Sequence, residues 1–235
     1  MSLSGKVALV TGAAGELGRA CCQLLRAAGA TVAGVDERPI DQELTLGVTA
    51  DVSQVDDVRR AVDTVVAELG GVDILVNNAG RWKHTPVDTT REQALTDFHE
   101  LLDVTTRGAF LMQRAVVESM IGRGGGDIVN VSTTNILPPR PAGRTDRNSP
   151  NTDLYAASKW ALTGFTQAWA LALNRHGIRV NTLAIDATET PMPHAQVLLE
   201  LLSEGPEGRT GETVGSWVSG PSALPPRRQR GENIT

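Results

Sequence analysis

The run Thr11-Gly12-Ala13-Ala14-Gly15-Glu16-Leu17-Gly18 follows a short apolar strand, Val7 to Val10, and opens a helical stretch that carries Leu24 and Leu25. Glycines between a strand and a helix let the chain turn tightly and bring its backbone against a pyrophosphate. The phosphate charge then rests on the free N–H groups of the helix N-terminus. Gly12, Gly15, Leu17 and Gly18 are accordingly candidate nucleotide-binding residues. A bare glycine cluster says little, and its position directly behind a first strand is what gives it meaning.

Outward from this turn the chain alternates. Val7 to Val10, Thr31 to Val35, Ile74 to Val76, Ile128 to Val131 and Ile178 to Leu183 read as strands, with helical patterns over Ser53 to Leu69, Arg91 to Ile121 and Thr152 to His176. In the first of these helices Ser53 is placed to cap, Asp56 and Asp57 suit the positive end, and Val55, Val58, Val62, Val65 and Leu69 form one apolar face. Strand and helix repeated in this way predict parallel pairing and right-handed crossovers. The expected fold is α/β, a Rossmann-like doubly wound parallel sheet, in one domain spanning residues 1–235. Residues 135–151 and 204–235, rich in Gly, Pro and charge, read as loop or lid segments. The second strand ends at Asp36, whose carboxylate suits ribose hydroxyls and would repel a 2′-phosphate. That favours NAD over NADP, although Arg19 and Arg38 could neutralise the extra charge.

The net charge of -5 and the absence of a basic helical face exclude nucleic acid and anionic membrane as expected main partners. No apolar run approaches spanning length, no signal-peptide pattern is present, and the two cysteines, Cys21 and Cys22, read as adjacent buried thiols. A cytoplasmic protein is expected. His84, His99, His176 and His194 lack metal-site spacing, so no metal is expected. His84 and Trp82 could touch substrate, and Trp160, Trp169 and Trp217 read as packing residues.

The only tyrosine, Tyr155, stands four residues before Lys159, a spacing that puts phenol and ammonium on one helical face. A fixed cation beside a phenol favours the phenolate and should lower a pKa that is ordinarily about 10. With the glycine turn, Asp51-Val52, Asn77-Asn78-Ala79-Gly80, the Tyr155 and Lys159 pair, Ala161 to Phe165 and Ile178 to Asn181, the chain resembles the short-chain dehydrogenase/reductases over Lys6 to about Met192. The resemblance implies that Tyr155 is the general acid/base and that Lys159 lowers its pKa and binds the nicotinamide ribose. It further implies that Asp51 and Val52 border the adenine, that Asn78, Ala79 and Gly80 shape the cofactor cleft, and that Thr190 holds the carboxamide. By strand register the family's hydroxyl donor falls on Thr133 with Ser132 beside it. Because side chains alternate along a strand, Thr133 is favoured.

Several positions depart from the family pattern. Glu16 occupies a usual glycine position, so the spacing Thr-Gly-x-x-Gly-x-x-Gly is the one found in the epimerase-like branch, with Glu16 facing solvent or adenosine. Thr105 replaces a usual asparagine, and Ile185-Asp186 a usual Pro-Gly beside the nicotinamide. Asp186 is thus expected either near the ring, where it would favour NAD+, or in a solvent-facing turn. The interval from Thr133 to Tyr155 is long, and Arg140, Arg144 and Arg147 within it would suit a polar or anionic substrate. Residues 231–235 resemble the start of the family's seventh strand, which would leave one sheet edge incomplete.

The leading expectation is an NAD-dependent oxidoreductase that interconverts a small secondary alcohol and a ketone, with homodimer or homotetramer as possible assemblies. The alternatives are a cofactor-using epimerase or dehydratase, and a cofactor-binding protein with impaired catalysis.

Overall fold

The computed structural model describes residues 2–41, 43–86, 88–137, 153–186 and 191–216. Seven parallel strands form one sheet. In chain order they are β1 (Val7–Thr11), β2 (Thr31–Asp36), β3 (Leu46–Thr49), β4 (Ile74–Asn77), β5 (Gly126–Thr133), β6 (Ile178–Ile185) and β7 (Thr213–Ser216). Their spatial order is β3-β2-β1-β4-β5-β6-β7. The helices are α1 (Glu16–Ala27), α2 (Val55–Leu69), α3 (Arg91–Leu102), α4 (Gly108–Gly122), α5 (Asp153–Leu173) and α6 (Met192–Leu202).

Alternation along the strands fills two cores. Ala8 and Val10 of β1, Val32 of β2 and Val129 of β5 pack with Cys21, Cys22 and Leu25 of α1 and with Leu198 and Leu201 of α6. Val7, Leu9, Val35 and Ile128 point the other way, against Val58 and Val62 of α2, Met112 and Val116 of α4 and Leu173 of α5. A sheet buried on both faces explains the near-continuous apolar runs of β1 and β4. Each fully buried Leu or Val contributes about 1.5–3 kcal/mol of transfer free energy.

The fold agrees with the sequence reading in class and order and differs in detail, with β3 and α6 among the elements that the sequence reading did not single out. The cap of α2 is Gln54 rather than Ser53, and no side chain bonds the first turn there. Asp51 takes over locally by accepting from the Ser53 N–H at 2.9 Å, while its own N–H donates to Asp57 Oδ2 at 2.9 Å. The helix expected over Arg91 to Ile121 is two helices joined by a π-helical turn over Asp103–Arg107. The segment 204–235, expected as loop, contains β7, and the segment 135–151 begins within a 3₁₀ turn, Thr134–Ile136. β7 pairs with β6 from Thr182↔Thr213 to Ile185↔Ser216, so the seventh strand lies upstream of residues 231–235.

Strand order reverses between the paired neighbours β1 and β4, and the chain leaves them on opposite faces of the sheet, to α1 after β1 and towards α4 after β4. Crevices at such switch points, beyond the strands' carboxyl ends, are where nucleotides bind in open α/β sheets.

Candidate active site

The crevice between the ends of β1 and β4 is a cavity of about 470 Å³ bounded by Gly12, Gly15, Asp36, Val52, Asn78 and Arg81. Thr11 holds the two strand ends together: its Oγ1 accepts from the Asn78 and Ala79 N–H groups, each at 3.0 Å. The Asn78 side-chain amide in turn donates to the carbonyls of Thr11 at 3.0 Å and Gly12 at 3.2 Å. Gly12 has a φ of +66°, and a Cβ there would come within 2.8 Å of Asn78 Nδ2. A Cβ on Gly18 would lie 2.1 Å from the Gly12 carbonyl oxygen, so α1 can start this close to the turn only with glycine at that place. Gly15, extended, is the N-cap of α1 and leaves its first turn without a capping side chain. These features fit a nucleotide pyrophosphate laid on the helix N-terminus. Glu16 is exposed and lines the same cavity.

Asp36, buried at the end of β2, accepts from the Ala14 N–H at 2.9 Å through Oδ2 and from the Arg38 N–H at 3.0 Å through Oδ1. One carboxylate therefore shapes the glycine turn and the far wall of the crevice together. Arg38 Nε lies 3.3 Å from Asp36 Oδ1, and Arg19 pairs with Asp41, so both arginines already face a carboxylate. Asp51 and Val52 also line the crevice.

At the other end, α5 presents Tyr155 and Lys159. Its N-terminus is held by Asp153, whose Oδ1 accepts from the Leu154 N–H at 2.8 Å. The Tyr155 phenol is hydrogen-bonded to the Thr133 hydroxyl at the end of β5. Lys159 Nζ donates to the Val131 carbonyl at 2.9 Å and lies 5.8 Å from the Tyr155 ring centroid. Ser132 is turned away: its Oγ is buried and donates to the Lys159 backbone carbonyl at 3.2 Å. Strand alternation thus separates the two candidate hydroxyls, giving Thr133 to the phenol and Ser132 to the backbone of α5. The two ends meet at Gly80, where a Cβ would fall 3.2 Å from Lys159 Nζ and 3.3 Å from Thr105 Oγ1.

Burial, not the lysine, governs titration here. It pushes the Tyr155 phenol above its usual value, with the Thr133 bond pulling the other way. It also draws the Lys159 ammonium down from 10.5 to about 8. The sequence expectation of a depressed tyrosine pKa is therefore reversed in the protein alone. Desolvation of the phenolate outweighs a cation almost 6 Å from the ring centroid whose Nζ is bonded to a carbonyl.

Asp186 is neither a free counter-charge nor a solvent-facing turn residue. Its side chain is 12% exposed, and Oδ1 lies 3.2 Å from Nε2 of the fully buried His194, although the angle falls short of a hydrogen bond. His194 Nδ1 is 2.7 Å from Ser216 Oγ, which makes a buried chain linking the ends of β6 and β7 to α6. Burial lowers the His194 pKa against the opposing pull of Asp186. Trp160, expected to pack, is exposed, as are Trp82, His84 and His99, whereas Trp169 packs edge-on to Phe110. Arg140, Arg144, Arg147, Thr190 and Trp217 lie outside the described residues. No group of three or more potential metal ligands occurs among the described residues.

Sequence reasoning missed Glu37 and Arg81. Arg81 Nη2 lies 2.8 Å from Glu37 Oε2 and its Nη1 3.2 Å from Glu100 Oε1. Nothing in the sequence connects positions 37 and 81, and their only signal is adjacency to Asp36 and to the Asn77 to Gly80 turn.

A glycine cradle at the switch point and a tyrosine, lysine and hydroxyl cluster at its end define a Rossmann-like nucleotide-binding protein. Comparison with known proteins narrows this. The short chain dehydrogenase family profile matches residues 6–198. Galactitol 2-dehydrogenase of Agrobacterium fabrum is 38% identical over 197 residues, which cover 78% of this chain and 71% of the relative. The 3-alpha-(or 20-beta)-hydroxysteroid dehydrogenase of Mycobacterium tuberculosis strain H37Rv is 38% identical over 198 residues, covering 81% and 72%. The crystal structure of a 3-ketoacyl-(acyl-carrier-protein) reductase from Brucella melitensis complexed with NADH superposes with a TM-score of 0.80 at 29% identity, covering 92% of this chain and 98% of that one. The chain belongs to the short-chain dehydrogenase family of oxidoreductases.

Proposed function

We propose that the protein is a single-domain, NAD-dependent dehydrogenase that interconverts a small secondary alcohol and a ketone, with NADP as the poorer cofactor. The observation that carries this reading is the Tyr155 phenol bonded to Thr133 beside Lys159, at one end of a glycine-walled crevice. Gly12, Gly15, Leu17 and Gly18 would cradle the pyrophosphate, and Asp36, Asp51 and Val52 would receive the adenosine. Asn78, Ala79, Gly80, Lys159 and Thr190 would hold the remainder. The nicotinamide ring, when bound, supplies hydride transfer.

The chain's own residues handle the proton. In the reducing direction Tyr155 donates its phenolic hydrogen to the carbonyl oxygen while Thr133 orients that oxygen. In the oxidising direction the tyrosinate takes the hydroxyl hydrogen of the alcohol. Because burial raises the phenol's pKa, Tyr155 is an acid at neutral pH, which suits ketone reduction. Alcohol oxidation, which needs the phenolate, climbs as pH rises. NAD is favoured because Asp36 lines the adenosine end and both Arg19 and Arg38 already face carboxylates. Exposed Phe110, Trp160 and Leu171 on α4 and α5 support a homodimer or homotetramer. Two buried thiols outside any disulfide suit a reducing cytoplasm.

A panel of secondary alcohols offered with NAD+ and NADP+ across pH 6 to 10 tests this reading. The expected result is reduced nicotinamide, more with NAD+ than with NADP+, at a rate that increases with pH. Product without reduced cofactor, or cofactor binding with no product across the panel, would replace the reading with one of the alternatives.

A further inference from the structure

The crevice is crossed, at its adenosine end, by a charged bridge. Glu37 extends from the loop after β2 and Arg81 from the loop after β4, and both line the cavity. Their side chains meet at 2.8 Å. The guanidinium is held from behind as well. Glu100 on α3 takes Nη1 at 3.2 Å, and Lys83 ties that carboxylate to buried Asp97 through contacts of 2.8 and 2.7 Å. The Arg81 backbone N–H donates to Thr105 Oγ1 at 3.4 Å, so the threonine standing in the family's asparagine position anchors the strand of chain that carries the bridge. The carboxylates beside Arg81 hold its pKa above the usual arginine value despite partial burial, which keeps the cation charged at any working pH.

We propose that Glu37 and Arg81 form a strap over the adenosine end of the cofactor, opened and reclosed each time the dinucleotide exchanges. The inference rests on the dinucleotide reading above. Arg81 holds and releases cofactor through this strap and takes no part in the chemical step. Glu37 is the movable partner. Its side chain is 51% exposed, while Arg81 keeps its second carboxylate, Glu100, when the first lets go. An ion pair with this exposure is worth at most about 1 kcal/mol, so the strap changes rates by a few-fold and does not seal the crevice.

The test is stopped-flow binding of NADH to the full chain, followed by nicotinamide fluorescence, for the parent, Arg81→Gln, Glu37→Gln and the double variant. A strap predicts that each single variant raises both association and dissociation rates by about two- to fivefold. It also predicts that the double variant goes no further than the larger single one, and that the equilibrium constant moves less than either rate. Raising ionic strength should speed exchange in the parent and leave the double variant's rates nearly unchanged. Opposite effects of the two single variants would overturn the strap and make Arg81 a simple phosphate anchor. Variant rates equal to those of a parent that binds NADH would overturn the strap alone. A parent that binds neither NADH nor NADPH would overturn the strap and the dinucleotide reading together.

Discussion

The two ends of the crevice are built on opposite electrostatic plans. At the nucleotide end most charged side chains named above face a partner: Asp36 with Ala14 and Arg38, Arg19 with Asp41, Arg81 with Glu37 and Glu100. At the catalytic end a buried ammonium and a half-buried phenol have neutral oxygens as their partners, and both are pushed toward their uncharged forms. The first plan gives a receptor whose turns are tied in place without ligand, with Glu37 its movable part. The second stores unfavourable free energy where protons must move, as expected where function works against stability.

The sharpest way to break this contrast is Tyr155→Phe. Removing the proton carrier should lower turnover by about 10²–10⁴-fold while NADH binding persists, measured by initial rates and fluorescence titration. If turnover survives with chemistry limiting, the catalytic end has been misassigned. Lys159→Met probes the stored free energy directly. The drop from 10.5 to about 8 means that the folded state is penalised wherever Lys159 must carry charge, fully below pH 8 and not at all above about 10.5. At pH 7 the variant should therefore be more stable by about 1–3 kcal/mol, the loss of the Val131 bond setting the lower figure. That gain, read by urea denaturation, should fade as pH rises through 8 to 10.5, while turnover is lost at all pH values. The smallest effect separates the paired hydroxyls. Ser132→Ala should cost about 0.5–1.5 kcal/mol of stability with kcat within about twofold, whereas Thr133→Ala, at a similar cost in stability, should lower kcat far more. Reversal of the two outcomes would invert the strand register at the site.

Much of this was legible from sequence because it depends on short-range rules. The glycine turn between Val10 and Glu16, the two-residue alternation that separates Thr133 from Ser132 and the four-residue step from Tyr155 to Lys159 are local geometry. Elements whose cause is tertiary were not legible. β7, with only Thr213, Val214, Gly215 and Ser216, has too little pattern to stand out and exists because β6 offers an edge to pair with. The titration of Tyr155 was misread because spacing reveals a neighbouring cation but not how much water the fold removes from the phenol. Asp186 looked unaccompanied because its partner His194 is eight positions away, on the next helix. Glu37 and Arg81 meet across 44 positions, beyond any local signal.

The wide turn over Asp103–Arg107 carries a consequence for the mouth of the crevice. It accommodates one more residue than an ordinary α turn and so fixes the angular phase of α3 relative to α4. Wound as a regular α-helix, the same residues would rotate α3 by about 100° relative to α4. Asp97 and Glu100 would then swing away from Lys83 and Arg81, so the charge lattice beside the crevice depends on a wide turn that absorbs one surplus peptide unit.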